Sequence, residues 1–200
     1  MGKIFYQFLS NDLPPEARDE RHDAVRDFLL SYFIQPEEPQ ASYYIVDPFL
    51  DPLENIVLPM RNGEIDSSFA CDLITCLALE HPAGAMFSII TSRNDTQLLA
   101  KNLSIVRASV PAIEFKHKEI ENCLIRTCKY SAQENTVPNE LHDRWLLQKT
   151  EKSLRGVHLG PSLQNFKKKD VTITYFDPAS CQEAITRFMA IWDICERKRE

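Results

Sequence analysis

The chain has 200 residues, enough for one domain with a single core and no need of cross-links. Hydrophobic residues make up 44% and charged residues 26%, the balance of an ordinary globular protein. A net charge of -6 argues against broad nonspecific coating of nucleic acid or anionic membranes, while a local basic patch inside a cleft stays compatible with a nuclease.

Lys3 to Leu9 is rich in aromatic and branched residues and predicts a short strand. From Pro14 to Gln35, apolar residues recur at Ala24, Val25, Phe28, Leu29, Tyr32 and Phe33, which is helical spacing. Pro36 and Pro39 then mark a loop. Ser42 to Val46 predicts a buried strand ended by Asp47-Pro48. Asp66 to Leu79 predicts a helix closed by His81-Pro82. Ala85 to Thr91 predicts another buried strand. Asn94 or Asp95 can cap a helix running to about Arg107. Ile113 to Lys116 predicts a strand, and Glu119 to Tyr130 suits either strand or helix. Arg144 to Gln148, Gly156 to Leu159 and Val171 to Phe176 are further strand candidates. Ser180 to Glu196 predicts a closing helix, with Ala184, Ile185, Phe188, Ile191, Trp192 and Cys195 on one apolar stripe.

Strands and helices alternate through the first two thirds of the chain. The expected fold is therefore α/β: a mixed, mostly parallel sheet flanked by helices on both faces. One domain over 1–200 is expected, with residues 1–40 as an N-terminal strand-and-helix extension. No apolar run is long enough to span a bilayer. The start, Met-Gly-Lys-Ile-Phe-Tyr, lacks the layout of a secretory signal and of a myristoylation signal. The expectation is a cytoplasmic protein. The six cysteines, at positions 71, 76, 123, 128, 181 and 195, then read as reduced thiols. The repeated C-x4-C spacing is not a usual zinc spacing, and no metal or other cofactor is expected.

The chemistry concentrates between His142 and Asn165. His142 and Arg144 are two apart, so on a strand they share a face. An imidazole beside a guanidinium suits a phosphate, which Arg binds bidentately and His can attack or protonate. Asp143 points to the other face. Downstream, the strand from Gly156 to Leu159 ends in Gly160-Pro161-Ser162, a sharp turn whose N–H groups and hydroxyl can cradle an anion. Gln164, Asn165 and Lys167 follow, with Lys168 and Lys169 completing a local positive run.

This pattern resembles the phospholipase D-like superfamily, which carries H-x-K-x-x-x-x-D and, on a later strand, G-S-x-N. It is most similar to a divergent branch that writes His-Asp-Arg before an apolar strand and Gly, Ser and Leu at the turn. Tyr44 to Phe49 and Phe87 to Ser92 resemble the opening and next core strands of such domains, so the likeness spans about residues 42 to 195.

The resemblance implies a metal-independent phosphodiesterase, nuclease-like, acting on nucleic acid or another phosphodiester. His142 would be the nucleophile or the acid. Arg144 would stand at the phosphate-binding Lys position and Ser162 would match the motif serine. Gln164, Asn165 and Lys167 would contact substrate. One motif per chain implies a homodimer or a partner chain that supplies a second His. Single-motif members of this kind look like parts of bacterial defence or mobile-element systems.

The chain departs from the pattern in three places. Arg144 replaces Lys, Lys149 stands where the motif has Asp, and Gln164 stands where it has Asn, with Asn165 one residue late. Asp47 is a carboxylate that a neighbouring strand can supply, although Asp47-Pro48 reads most simply as a turn. These departures keep a second reading open: a degenerate domain of the same fold that binds a partner protein or a phosphate group. His158 reads as a structural residue and His22, His81 and His117 as exposed ones. Trp145 and Trp192 read as core.

Overall fold

The structure is a computed structural model. It describes residues 5–8, 15–50, 60–61, 64–65, 69–81, 83–91, 123–129, 144–160, 163 and 171–197. The elements in chain order are β1 (Phe5–Phe8), α1 (Pro15–Phe33), β2 (Gln40–Val46), β3 (Met60–Arg61), β4 (Glu64–Ile65), α2 (Phe69–Leu79), β5 (Gly84–Thr91), β6 (Cys123–Lys129), β7 (Trp145–Lys149), β8 (Leu154–Leu159), β9 (Val171–Tyr175) and α3 (Pro178–Arg197). The ambiguous segment before Tyr130 is thus a strand. The helix expected from Asn94 or Asp95 to Arg107 and the strand expected at Ile113 to Lys116 lie outside the described residues.

Seven strands form one sheet in the order β1-β9-β8-β7-β2-β5-β6, and β3 and β4 make a separate small ribbon. Only β2–β5 and β5–β6 pair in parallel. The pairs β1–β9, β9–β8, β8–β7 and β7–β2 are antiparallel. The sheet is therefore mixed but mostly antiparallel, which corrects the mostly parallel expectation. The cause is local. Only residues 150–153 separate β7 from β8, and a connection that short can only reverse the chain, because a parallel crossover needs a dozen residues or more.

Helices cover both faces, as expected. Alternation along each strand splits the core into two layers. On one face Tyr43, Ile45, Phe87, Ile89, Leu146 and Val157 meet Val25, Leu29 and Phe33 of α1 and Leu73, Ile74 and Leu77 of α2. On the other face Val46, Ile90, Trp145 and Leu147 meet Ala184, Ile185, Phe188, Ile191 and Trp192 of α3. Helix α3 starts where Asp177 accepts the Ser180 backbone N–H at 3.0 Å and the Ser180 hydroxyl at 2.9 Å, an N-cap with Pro178 in the first turn. Those same bonds hold the Asp177 carboxyl below its usual range. Strand β1 lies on the sheet edge and α1 packs on the core, so the segment before residue 40 is built into the fold. Among the described residues, no helix is long and apolar enough to cross a membrane. Cys76 and Cys181 are free thiols, and burial pushes Cys181 up to about 11.

At the end of the sheet where β2 begins, a closed polar ring ties α1 to the strands. Glu38 accepts from Arg155 at 2.7 Å, from Thr150 at 2.7 Å and from Ser153 at 2.6 Å. Arg155 also donates to Gln148 Oε1 at 3.1 Å. Gln148 Nε2 donates to the Phe33 carbonyl at 2.8 Å and to the Tyr43 hydroxyl at 2.9 Å. Tyr43 meets His81 Nε2 at 2.8 Å, and His81 Nδ1 meets the Glu38 carbonyl at 2.8 Å. A carbonyl only accepts, so Nδ1 carries the proton, Nε2 accepts, and Tyr43 donates to it. His81 is 2% exposed. This corrects its reading as a surface residue: the His81 ring just after α2 points inward.

Two predictions follow from this packing. A Cβ on Gly156 would stand 2.5 Å from Leu147 Cδ2 and 2.9 Å from Phe176 Cδ2. Gly156→Ala therefore overpacks the α3 face and lowers stability by about 2 kcal/mol, read as an unfolding midpoint shift in urea. Glu38 is buried, and burial alone raises a carboxyl. The bonds from Ser153, Arg155 and Thr150 outweigh that and hold it below the ordinary glutamate range. Its contribution is then complete above about pH 4.3, the unfolded value, and is lost as pH falls further. Glu38→Gln loses about 3 kcal/mol at neutral pH, and urea titrations at decreasing pH should show the gap to wild type closing below about pH 4.

Candidate functional site

The opposite end of the sheet, where β2 and β5 end and β7 begins, gathers the polar groups of interest. Parallel strands commonly present ligand sites at their C-terminal ends. Here the β2 ladder closes with Asp47 N–H donating to the Ile90 carbonyl at 3.1 Å. The chain must then turn, because Pro48 has no N–H to continue pairing. Leu50 N–H donates to the Asp47 carbonyl at 3.2 Å, and the Thr91 hydroxyl donates to the Leu50 carbonyl at 2.5 Å. The turn is pinned from within and Leu50 is fully buried.

Asp47 is a turn residue and also a buried carboxylate, with 0% exposure. Its Oδ1 accepts the Phe49 N–H at 3.1 Å, and its Oδ2 accepts the Leu163 N–H at 2.8 Å. Arg144 approaches from the start of β7, with Nε 4.0 Å from Asp47 Oδ1. The guanidinium carbon lies 4.9 Å from the centre of the Phe49 ring, a cation–π arrangement. Arg144 Nη1 donates to the Gly160 carbonyl at 2.9 Å. Its Nε is buried without a hydrogen bond.

Gly160 ends the β8 ladder with its N–H on the Thr172 carbonyl at 2.9 Å. A Cβ there would stand 3.2 Å from that carbonyl oxygen, which explains a glycine where the backbones converge. The Arg144 carbonyl accepts the Leu159 N–H at 2.8 Å, so the ladder between β7 and β8 extends to Arg144. The two stretches singled out in the sequence, around Arg144 and after Gly160, thus meet at one sheet end. Arg144 holds the first residue of the turn and Asp47 holds the fourth.

His142, Asp143, Ser162, Gln164, Asn165 and Lys167 lie outside the described residues, as do Lys168, Lys169 and His117. Lys149 is exposed at the far end of β7. It is five residues from Arg144, about 16 Å along an extended strand. A residue at position 149 therefore cannot touch a group at the Arg144 end, and the carboxylate described there is Asp47. His158 is half-buried and stands opposite Trp145 in the ladder. It faces α3, across the sheet from Leu159 and Arg144. Trp145 and Trp192 are core residues, 6% and 4% exposed. The sequence named Asp47 as an available carboxylate but gave no sign of its bond to Leu163 or of Phe49 beneath Arg144. The Asp-Pro pair directly after a buried strand was the available signal. Among the described residues, no group of three or more His, Cys, Asp or Glu side chains could hold a metal ion.

No protein-family profile matches the chain, and no curated protein matches it in sequence. Eight chains of known structure match it. Among them is NucT from Helicobacter pylori, 9% identical with a TM-score of 0.49, the match covering 97% of this chain and 98% of that one. A likeness that distant assigns neither chemistry nor site residues.

Proposed function

We propose that this chain is a phosphodiesterase of the phospholipase D type that acts on nucleic acid, with its site at the Arg144–Gly160 end of the sheet. The carrying observation is the clamp itself. Asp47 and Arg144 hold Leu163 and Gly160, and these described residues are the near neighbours in sequence of His142 and Ser162. In this reading His142 attacks phosphorus. A P–N bond forms, the P–O bond to the leaving alkoxide breaks, and a second His donates the proton that the alkoxide takes up. Water then hydrolyses the phosphohistidine. The second His comes from another copy of the chain or from a partner chain, so the active species is a dimer. Arg144 supplies positive charge for the phosphate, one fifth of its side chain being exposed, and Lys167 adds to it. Ser162, Gln164 and Asn165 contact the substrate oxygens. A place in a bacterial defence or mobile-element system fits this chemistry.

One observation favours a second reading, a module that binds a phosphate group or a partner without cleaving. Arg144 already donates to Gly160, stacks on Phe49 and keeps its Nε buried beside Asp47. Those contacts hold structure together and withdraw part of the guanidinium from a ligand.

The deciding experiment is a cleavage assay with excess chelator on single- and double-stranded DNA, RNA and a generic phosphodiester. Wild type should cleave at least one of them, and His142→Ala should lose at least about a thousandfold in rate. Full activity in His142→Ala would remove the phosphohistidine step. A folded wild type that cleaves nothing yet binds a labelled oligonucleotide would establish the binding module instead.

A further inference from the structure

We infer that Asp47 is a positioning residue, which sets the Gly160–Leu163 turn relative to the start of β7 through a bond to the Leu163 backbone. The functional half of this inference rests on the phosphodiesterase reading; the structural half does not.

Two hydrogen bonds and the burial of Asp47 point to that role. The carboxylate is fully buried, and an ionised group out of water must have its lone pairs taken. One oxygen accepts the local Phe49 N–H, which fixes the side chain against its own turn. The other reaches 116 residues along the chain to the Leu163 N–H. Leu163 is itself fully buried in the core cluster of α1 and α2. The turn is thus anchored three ways: Gly160 by its carbonyl on Arg144, Leu163 by its N–H on Asp47, and Leu163 by its side chain in the core. Arg144 lies beside the same carboxylate, so one side chain orients both halves of the proposed site. Asp47 does this from beneath, with no surface of its own to meet a substrate. It therefore acts through the turn, and its loss should disturb geometry more than affinity. Displacing catalytic groups by about 1 Å can cost about a hundredfold in rate.

The test measures backbone amide exchange by NMR in wild type and Asp47→Ala, with turnover of the best substrate alongside. The Leu163 amide should exchange at least about tenfold faster in Asp47→Ala, while amides of β5 and β8 keep their protection. Turnover should fall about a hundredfold in kcat with KM changed by less than about threefold, and Asp47→Asn, which keeps one acceptor, should recover part of kcat. An unchanged Leu163 amide would overturn the inference, as would a loss confined to KM. If Asp47→Ala does not fold, Asp47→Asn carries the same exchange and turnover comparison, because it preserves volume. If wild type cleaves no substrate, the phosphodiesterase reading fails, and the Leu163 exchange rate alone decides whether Asp47 holds the turn.

Discussion

A carboxylate removed from water must have its oxygens satisfied, and among the described residues two are buried, one beyond each end of strand β2. Glu38 lies just before the strand and Asp47 just after it. Strand β2 is the place where parallel and antiparallel halves of the sheet join, with β5 on one side and β7 on the other. Tyr43 and Ile45 enter one core layer and Val46 the other, and a buried carboxylate lies beyond each end. At one end Glu38 draws in the β7–β8 hairpin through Thr150, Ser153 and Arg155. At the other end Asp47 draws in Leu163 and stands beside Arg144. The same chemical requirement, met twice, ties the helices and the later strands to the central strand.

The two ends differ in how completely they are closed. In the Glu38 ring each donor has an acceptor, and the direction of donation runs consistently from Arg155 through Gln148, Tyr43 and His81. Such a ring is rigid and gives a ligand nothing to bind. At the Asp47 end a buried arginine nitrogen lacks a hydrogen bond, and the guanidinium remains partly exposed. Incomplete satisfaction of this kind is tolerated where a site has work to do. That contrast is why the proposed site is drawn at the Arg144 end and not at the Glu38 end.

Much of the architecture was legible because it follows from periodicity. The stripe of α3 from Ala184 to Trp192 is buried as its 3.6-residue spacing requires. Val25, Leu29 and Phe33 of α1 behave the same way. The short runs before Asp47 and before Thr91 are strands buried on both faces. Strand direction was not legible from alternation, since periodicity is blind to pairing. The signal lay in the spacing after Lys149, where strands follow one another with no helix between β7 and β8. His81 was misread because a His-Pro pair at a helix end is ordinarily exposed. Only the partners Tyr43 and the Glu38 carbonyl, 38 and 43 residues away in sequence, bring it inside. Asp47 illustrates the same limit: its turn was local and readable, whereas its partner Leu163 was not. For the candidate site, the described residues of the two segments, Arg144, Gly160 and Leu163, are joined by bonds that no local pattern signals.

The Glu38 ring also bears on where the protein can be cut. Its members come from the end of α1, the loop before β2, the end of α2 and the hairpin of β7 and β8. A fragment that began at residue 40 would retain β2 and everything after it. It would still lack Val25, Leu29 and Phe33 from the interior and Glu38 from the ring. Gln148 would lose the Phe33 carbonyl, and Arg155 and His81 would lose Glu38. The smallest autonomous fragment therefore includes α1, and a recombinant boundary drawn just before β2 would fall inside the folding unit.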